Sequence, residues 1–109
     1  MRIWDIAPSR LCRNHLLGEH RELHAIWSIL TAHKKGYSRH PETMRWRNKL
    51  AALYLRHKEL VREMKERGYK HNSSLDRRLA TGSRKQDLFL DSHSRQKKIL
   101  KSKKCGCRT

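Results

Sequence analysis

The stretch from Leu11 to Leu30 constrains the fold of this chain more than any other part of it. Its apolar residues recur at steps of three and four, which places their side chains along one side of an α-helix. The stripe consists of Leu16, His20, Leu23, Trp27 and Leu30. We therefore predict a helix that buries this stripe and is opened by Pro8 and Ser9, with Ser9 as its N-terminal cap.

The opposite side of the predicted helix carries polar residues, and a glycine lies among them. They are Asn14, His15, Gly18, Arg21 and Glu22. A glycine in mid-helix costs about 1 kcal/mol relative to alanine, so Gly18 indicates that another backbone or a ligand approaches closely at that turn. We expect Glu22 on the polar row and Glu19 near its edge.

A second long helix is predicted from Pro41 to about Arg67, because proline suits the first helical position and Glu42 follows it. Its buried stripe is Trp46, Leu50, Leu53, Tyr54, His57, Leu60, Val61 and Met64. His57 is interpreted as a partly buried core histidine. Further along the chain, a third helix, or packing on the first two, is predicted for Leu88, Leu90, Ile99 and Leu100.

These patterns together predict an all-α fold, a compact single domain of two long helices and a shorter C-terminal helix. We assign residues 1–100 to this domain and residues 101–109 to a basic tail that contains cysteines. Ile3, Trp4 and Ile6 give the N-terminal segment apolar side chains to bury, which would hold that end against the domain. No stretch approaches the roughly 18 apolar residues of a membrane helix.

The chain carries 27 lysines and arginines against 10 acidic residues, a net charge of +17. Self-repulsion at this charge disfavours the compact state, so an anionic partner is expected. Nucleic acid is the leading candidate, and a ribosomal or acidic-membrane partner is the alternative. The loop after the first helix, with Lys34, Lys35 and Tyr37, suits contacts to phosphates and stacking on bases.

The three cysteines, an odd number without a visible export signal, indicate a reducing cytoplasm. Cys105 and Cys107 are separated by a single residue, whereas zinc sites need four ligands at wider pair spacing. Cys12 alone does not complete such a set, so we expect no metal site. We also expect a monomer in the cytoplasm, associated with the nucleoid.

A free α-amino group offers chemistry that few side chains offer at neutral pH. Its pKa is about 7.7–8.0, against about 10.4 for lysine, and surrounding positive charge lowers it further. Such an amine can attack a sugar C1′ and form a Schiff base, if a nearby carboxylate moves protons and stabilises the cationic sugar. The first helix offers Glu19 and Glu22, although most glutamates on helices are only solvated charges.

The segment HLLGEHREL, from His15 to Leu23, together with Asn14 and the terminal MRI, resembles the pyrimidine-dimer DNA glycosylase family, the phage endonuclease V type of UV-repair enzyme. The likeness extends through KLAALYLRHKELVREMKERGY and covers residues 1 to about 70. The pattern H-L-x-x-E-x-R-E-L is fairly specific at this distance from the N-terminus, whereas the likeness in the second helix is mostly amphipathic spacing.

The resemblance implies a mainly helical glycosylase with linked abasic-site lyase activity and no cofactor, acting on UV-type pyrimidine dimers or a related base lesion in double-stranded DNA. It implies that the N-terminal amine attacks C1′ of the damaged nucleotide, and that the imine then allows β-elimination of the 3′ phosphate. Met1 and Glu22 fall on the catalytic positions, and His15 falls on the active-site histidine. The residues assigned to DNA binding, the two loop lysines included, are Arg2, Asn14, His15, Arg21, Lys34 and Lys35.

The chain departs from the phage enzyme in three places. The phage protein loses its initiator methionine, whereas the bulky Arg2 should block that trimming, so Met1 itself occupies the nucleophile position. Ala25 stands where the phage enzyme has a DNA-binding arginine, and the tail KSKKCGCRT replaces an aromatic-rich C-terminus. The main alternative is a non-enzymatic basic nucleic-acid-binding protein, and a weaker one is a glycosylase or lyase for a different lesion.

Overall fold

The computed structural model describes residues 2–33, 39–70, 73–103 and 105–108. The α-helices in these ranges are α1 (Arg13–Thr31), α2 (Pro41–Met44), α3 (Leu50–Glu66) and α4 (His93–Ser102), and two 3-10 turns are Pro8–Arg10 and Arg77–Leu79. The described residues contain no β-strand, and an isolated antiparallel bridge joins Lys49 to Gly82. The predicted all-α fold is therefore confirmed.

The core lies where α1 packs on α3, and the N-terminal segment is buried in it. Ile3, Trp4 and Ile6 are at most 5% exposed, so their predicted burial is confirmed. Around them lie Leu16, Leu23, Ile26, Trp27, Leu53, Leu60, Met64 and Leu100. The radius of gyration is 13.6 Å, close to the roughly 13 Å expected of a compact domain of about 100 residues. None of the described helices combines the length and apolarity needed to span a bilayer.

Helix α1 begins later than predicted, at Arg13. Pro8–Arg10 form a separate 3-10 turn, so the prediction of Ser9 as the cap of the long helix is wrong. The physical reason is Leu11, which is extended and 2% exposed, and whose burial interrupts the helix. Arg67, just after α3, stabilises this interruption by donating to the Leu11 carbonyl at 2.6 Å.

The predicted second helix is broken between α2 and α3. Glu42, in α2, is buried and accepts hydrogen bonds from Arg45 Nε at 2.7 Å and Trp46 Nε1 at 3.1 Å. Asn48 then takes a left-handed φ of 60°, and its carbonyl accepts the Ser83 N–H at 2.8 Å. The prediction of one continuous helix is wrong because the local contacts of Glu42 and the hydrogen bond from the distant Ser83 fix a turn inside it.

Helix α4 matches the prediction only in part. Ile99 and Leu100 lie in it, and Leu100 is 1% exposed. Leu88 and Leu90 precede the helix and are 53% and 48% exposed, so their predicted place in a helix or on the core is wrong. Two hydrogen bonds between the buried Gln96 and Asp5 hold α4 in place instead: Gln96 Oε1 accepts from the Asp5 N–H, and Gln96 Nε2 donates to Asp5 Oδ2. The helix extends past residue 100, and the division of the chain there stays a prediction.

A buried ion pair joins α1 to α3. Glu19, expected near the edge of the polar row, is 2% exposed. Its carboxylate accepts hydrogen bonds from Arg56 Nε at 2.7 Å and from the Trp4 backbone N–H at 2.8 Å. Burial raises the pKa of the Glu19 carboxyl, and both donors oppose that rise. The carboxylate therefore ties the N-terminal segment, α1 and α3 to one another.

Removing one partner of this pair is expected to destabilise the protein strongly. Arg56→Met leaves the Glu19 carboxylate buried without its cation, which costs about 3–5 kcal/mol. The matched change Arg62→Met, at an exposed position of the same helix, should cost less than about 0.5 kcal/mol. Urea denaturation followed by circular dichroism measures both free energies of unfolding. Equal losses in the two variants would contradict the role given to the pair.

Candidate active site

A pocket of ≈ 330 Å³ lies beside the first half of α1, between the N-terminal segment and the end of α4. Its lining residues are Arg2, Trp4, Asn14, His15, Gly18, Glu19, Glu22, Ile99 and Lys103. Residues that are far apart in the sequence therefore meet here. Among those predicted as site residues, the pocket brings together Arg2, Asn14, His15 and Glu22.

One side of the pocket is a row of residues on α1. Asn14, Gly18 and Glu22 follow one another at intervals of four, so they lie on the same face of the helix. Glu22 is partly buried, whereas Asn14 is exposed. A Cβ placed on Gly18 would meet nothing within 4 Å, so no described backbone packs closely against this turn. The described residues therefore do not support close packing by another backbone at Gly18, and clearance for a ligand stays a prediction.

Arg2 also lines the pocket. Its Nη2 donates to Asp91 Oδ2 at 2.8 Å, and its guanidinium lies 4.3 Å from the centroid of the Trp4 ring, within cation–π range. Its Nε is buried and has no hydrogen-bond partner among the described residues. The guanidinium is therefore held in place by the protein, and one of its donors is unsatisfied.

Three cysteines surround the ring of His15. Its Nδ1 lies 3.1 Å from Cys12 Sγ, 3.2 Å from Cys105 Sγ and 3.4 Å from Cys107 Sγ. Burial lowers the pKa of His15, and the charge of Lys103 lowers it further, so both favour the neutral form of the ring. Burial raises the pKa of the Cys107 thiol to about 12. Despite its own burial, the Cys105 thiol has a lowered pKa because it receives hydrogen bonds from Cys107.

A second group of possible metal ligands lies between α1 and α3. His20, His24 and His57 have ring centroids 4.6, 4.9 and 5.1 Å apart. The Nε2 atoms of His24 and His57 are 3.1 Å apart, within hydrogen-bond distance. His57 is 5% exposed, so its interpretation as a core histidine is confirmed. In the described part of the chain, these three histidines and the cysteine cluster are the groups that could hold a metal ion.

Of the other predicted site residues, the structure describes Arg21 and its position relative to the pocket. Arg21 is exposed and does not line it, and Met1, Lys34 and Lys35 lie outside the described residues. Lys103, which was not predicted, brings a primary amine to the pocket from just beyond α4. Nothing in the sequence distinguishes it from the other lysines of this region, because only the packing of α4 carries it there.

Comparison with known protein families matches the part of the chain that forms most of this pocket. The sequence model described as pyrimidine dimer DNA glycosylase matches residues 1–77, which include all the lining residues from the N-terminal segment and α1 but none from α4. No curated protein and no solved structure matches the chain. The family match covers well over half of the 109 residues and confirms the resemblance found in the sequence. The chain therefore belongs to the pyrimidine dimer DNA glycosylase family.

Proposed function

We propose that the chain excises pyrimidine dimers or a related base lesion from double-stranded DNA, and that it has a linked abasic-site lyase activity. The nucleophile is the N-terminal amine of Met1, and Glu22 is the carboxylate that assists it. The observation that carries this proposal is that Glu22 and Arg2 line one pocket. Arg2 follows Met1 directly in the chain, which supports a short distance between the amine and that pocket.

The proposed reaction is covalent catalysis by an amine. The neutral amine attacks C1′ of the damaged nucleotide as the bond between C1′ and the base breaks, and the Glu22 carboxylate accepts the proton that the attacking amine loses and passes it to the leaving base. The bond between C1′ and the ring oxygen O4′ then opens, O4′ takes up a proton, and an imine forms between the amine and C1′. Loss of a proton from C2′ of the resulting imine then expels the 3′ phosphate, and water releases the amine. The Glu22 carboxylate also stabilises the positive charge that develops on the sugar.

The positive charge of the chain supports DNA as the substrate. A net charge of +17 favours binding to phosphates in a salt-dependent manner. A pocket of ≈ 330 Å³ is of the size that takes a small ligand, and we propose that it receives an extruded nucleotide. The proposed DNA contacts are Arg2, Asn14, His15, Arg21, Lys34 and Lys35. The protein would act without a cofactor, as a monomer associated with the nucleoid.

Two alternatives follow from particular observations. A non-enzymatic nucleic-acid-binding protein needs only the positive charge, and it predicts salt-sensitive binding without strand cleavage. Within the enzymatic proposal, Lys103 is a rival nucleophile because its primary amine lines the same pocket as Glu22. The reaction with an abasic duplex distinguishes the Met1 nucleophile, the Lys103 nucleophile and the non-enzymatic protein.

Borohydride reduction during reaction with an abasic duplex should trap a covalent adduct at the amine of residue 1. Acetylation of the N-terminus should abolish the adduct, because an amide nitrogen cannot form the imine. Lys103→Arg should retain it, since arginine keeps the positive charge and cannot form the same Schiff base. Mass spectrometry of the digested adduct identifies the attached residue.

The other outcomes of the trapping experiment are equally informative. An adduct that survives acetylation and disappears in Lys103→Arg would transfer the nucleophile to Lys103. The absence of any adduct, together with salt-sensitive binding of the duplex, would favour the non-enzymatic alternative.

Glu22→Gln should reduce single-turnover cleavage by roughly 10²- to 10⁴-fold, the usual contribution of a general acid or base. DNA affinity should remain close to that of the parent protein. Glu66→Gln is the matched control, because it removes the same charge from an exposed position on α3 outside the pocket. Quenched-flow cleavage and fluorescence anisotropy report the two quantities. Full cleavage activity in Glu22→Gln would remove this residue from the mechanism.

Gly18→Ala should raise the stability of the protein and weaken its binding of lesion-containing DNA. The new methyl group meets nothing within 4 Å in the protein alone, so better helix propensity should stabilise α1 by about 0.4–1 kcal/mol. The same methyl group narrows the pocket and should weaken binding of lesion-containing DNA more than binding of undamaged DNA. Thermal unfolding and competition binding measure the two effects. A variant that is more stable and still discriminates fully would show that Gly18 provides no clearance.

A further inference from the structure

The cluster around His15 gathers residues from two distant parts of the chain. Cys12 immediately precedes α1 and His15 lies in its first turn, whereas Cys105 and Cys107 follow α4. Their four ligand atoms all lie within 4.8 Å of one another. The three cysteines form no disulfide, although Cys105 Sγ and Cys107 Sγ are only 3.3 Å apart.

Hydrogen bonding alone does not account for this arrangement. The Nδ1 atom of an imidazole carries one lone pair or one hydrogen, so it can satisfy one thiol at a time. Here three sulfurs approach the same Nδ1 at 3.1, 3.2 and 3.4 Å. Thiols are also weak donors and acceptors, so such contacts give little reason for three of them to converge. A common ligand at the centre of the four atoms would explain why the three sulfurs converge on this nitrogen.

The spacing of the four atoms suits a tetrahedral ion. Zinc bound at about 2.3 Å to sulfur and about 2.0–2.1 Å to nitrogen separates its ligand atoms by about 3.5–3.8 Å. The sulfur–nitrogen distances of 3.1, 3.2 and 3.4 Å lie within about half an ångström of that range. The set of three sulfurs and one imidazole nitrogen is also one that selects zinc over harder cations.

We propose that Cys12, His15, Cys105 and Cys107 bind one zinc ion in a closed, four-ligand site. This inference goes beyond the proposed function and does not depend on it. Four protein ligands leave no open position, which is the pattern of a structural zinc rather than a catalytic one. The ion would fasten the end of the chain to the start of α1.

The backbone around the cluster is arranged for this role. Gly106 has a φ of 92°, a conformation that side chains disfavour, and it turns both flanking sulfurs to the same side. The Cys12 N–H donates to Cys107 Sγ at 3.0 Å. The Arg108 N–H donates to the Arg10 carbonyl at 2.7 Å. The first of these contacts reaches a ligand atom, as the outer hydrogen bonds of metal sites commonly do, and the second ties the backbone beside Cys107 to the turn that precedes α1.

The spacing of the two C-terminal cysteines in the sequence argues against a metal site, and the family resemblance assigns His15 to the active site and to DNA binding. The fold supplies His15 as the fourth ligand because it stands three residues after Cys12 in the first turn of α1. With Nδ1 on the metal, Nε2 must carry the remaining hydrogen. His15, which also lines the pocket, would then be fixed as a neutral donor.

Metal analysis and cobalt spectroscopy of the full chain test this proposal. Protein purified with Zn²⁺ should contain one zinc per chain by mass spectrometry, and exchange for Co²⁺ should produce thiolate-to-cobalt charge-transfer bands. Cys105→Ser should lose these bands and weaken zinc binding more than about 100-fold, beyond the effect typical of an outer contact. The control His24→Gln removes a nitrogen from the three-histidine group and should retain one zinc and the bands.

Several results would overturn the zinc site. The zinc site would be overturned if the parent protein bound no zinc and gave no thiolate-to-cobalt bands. This result does not depend on whether Cys105→Ser folds. Zinc retained in Cys105→Ser and lost in His24→Gln would assign the metal to the histidines instead. Hydrogen exchange gives an independent measurement, because chelation should speed exchange at the amides of Cys12 and Arg108. Unchanged exchange at both amides after zinc removal would contradict the proposed fastening.

Discussion

The position of the N-terminal segment depends on the buried carboxylate of Glu19. A carboxylate removed from water is tolerated only with charged and hydrogen-bonded partners, and Glu19 finds them in Arg56 and the Trp4 N–H. Arg56 also donates to the Ile6 carbonyl at 2.9 Å, and the buried Arg45 donates to the Ile3 carbonyl at 3.0 Å. These backbone contacts, together with the hydrogen bond from the Asp5 N–H to Gln96, hold the segment, and the place of Arg2 in the pocket wall follows from them.

Sequence patterns predicted what is local in this fold. The periodic apolar stripes predicted α1 and the helical class, since each stripe depends only on the spacing along one element. They did not predict the different surroundings of Glu19 and Glu22, which are three residues apart on the same helix. Glu19 is buried against Arg56 of α3, whereas Glu22 lines the pocket. That difference depends on how α3 packs on α1, and the spacing of residues within α1 carries no information about this packing.

The breaks in the helices escaped prediction for the same reason. Pro41 correctly marked a helix start, but the turn at Asn48 depends on pairing with Ser83, far along the chain. The cysteines are a further example, because their spacing in the sequence is unlike that of common zinc motifs. Cys105 meets His15 only because the buried Leu100 and Gln96 dock α4 beside the start of α1.

The pocket is lined by two parts of the chain, one inside the family match and one beyond it. Glu22 and the segment that follows Met1 belong to residues 1–77, where the family model matches. The α4 wall, formed by Ile99 and Lys103, comes from α4 and the residue just after it, beyond that match. The shared side would carry the proposed sugar chemistry, which is the same for any base. It follows that a difference in lesion preference between this chain and other members is expected to arise at the α4 wall, where a bound base would meet residues outside the match.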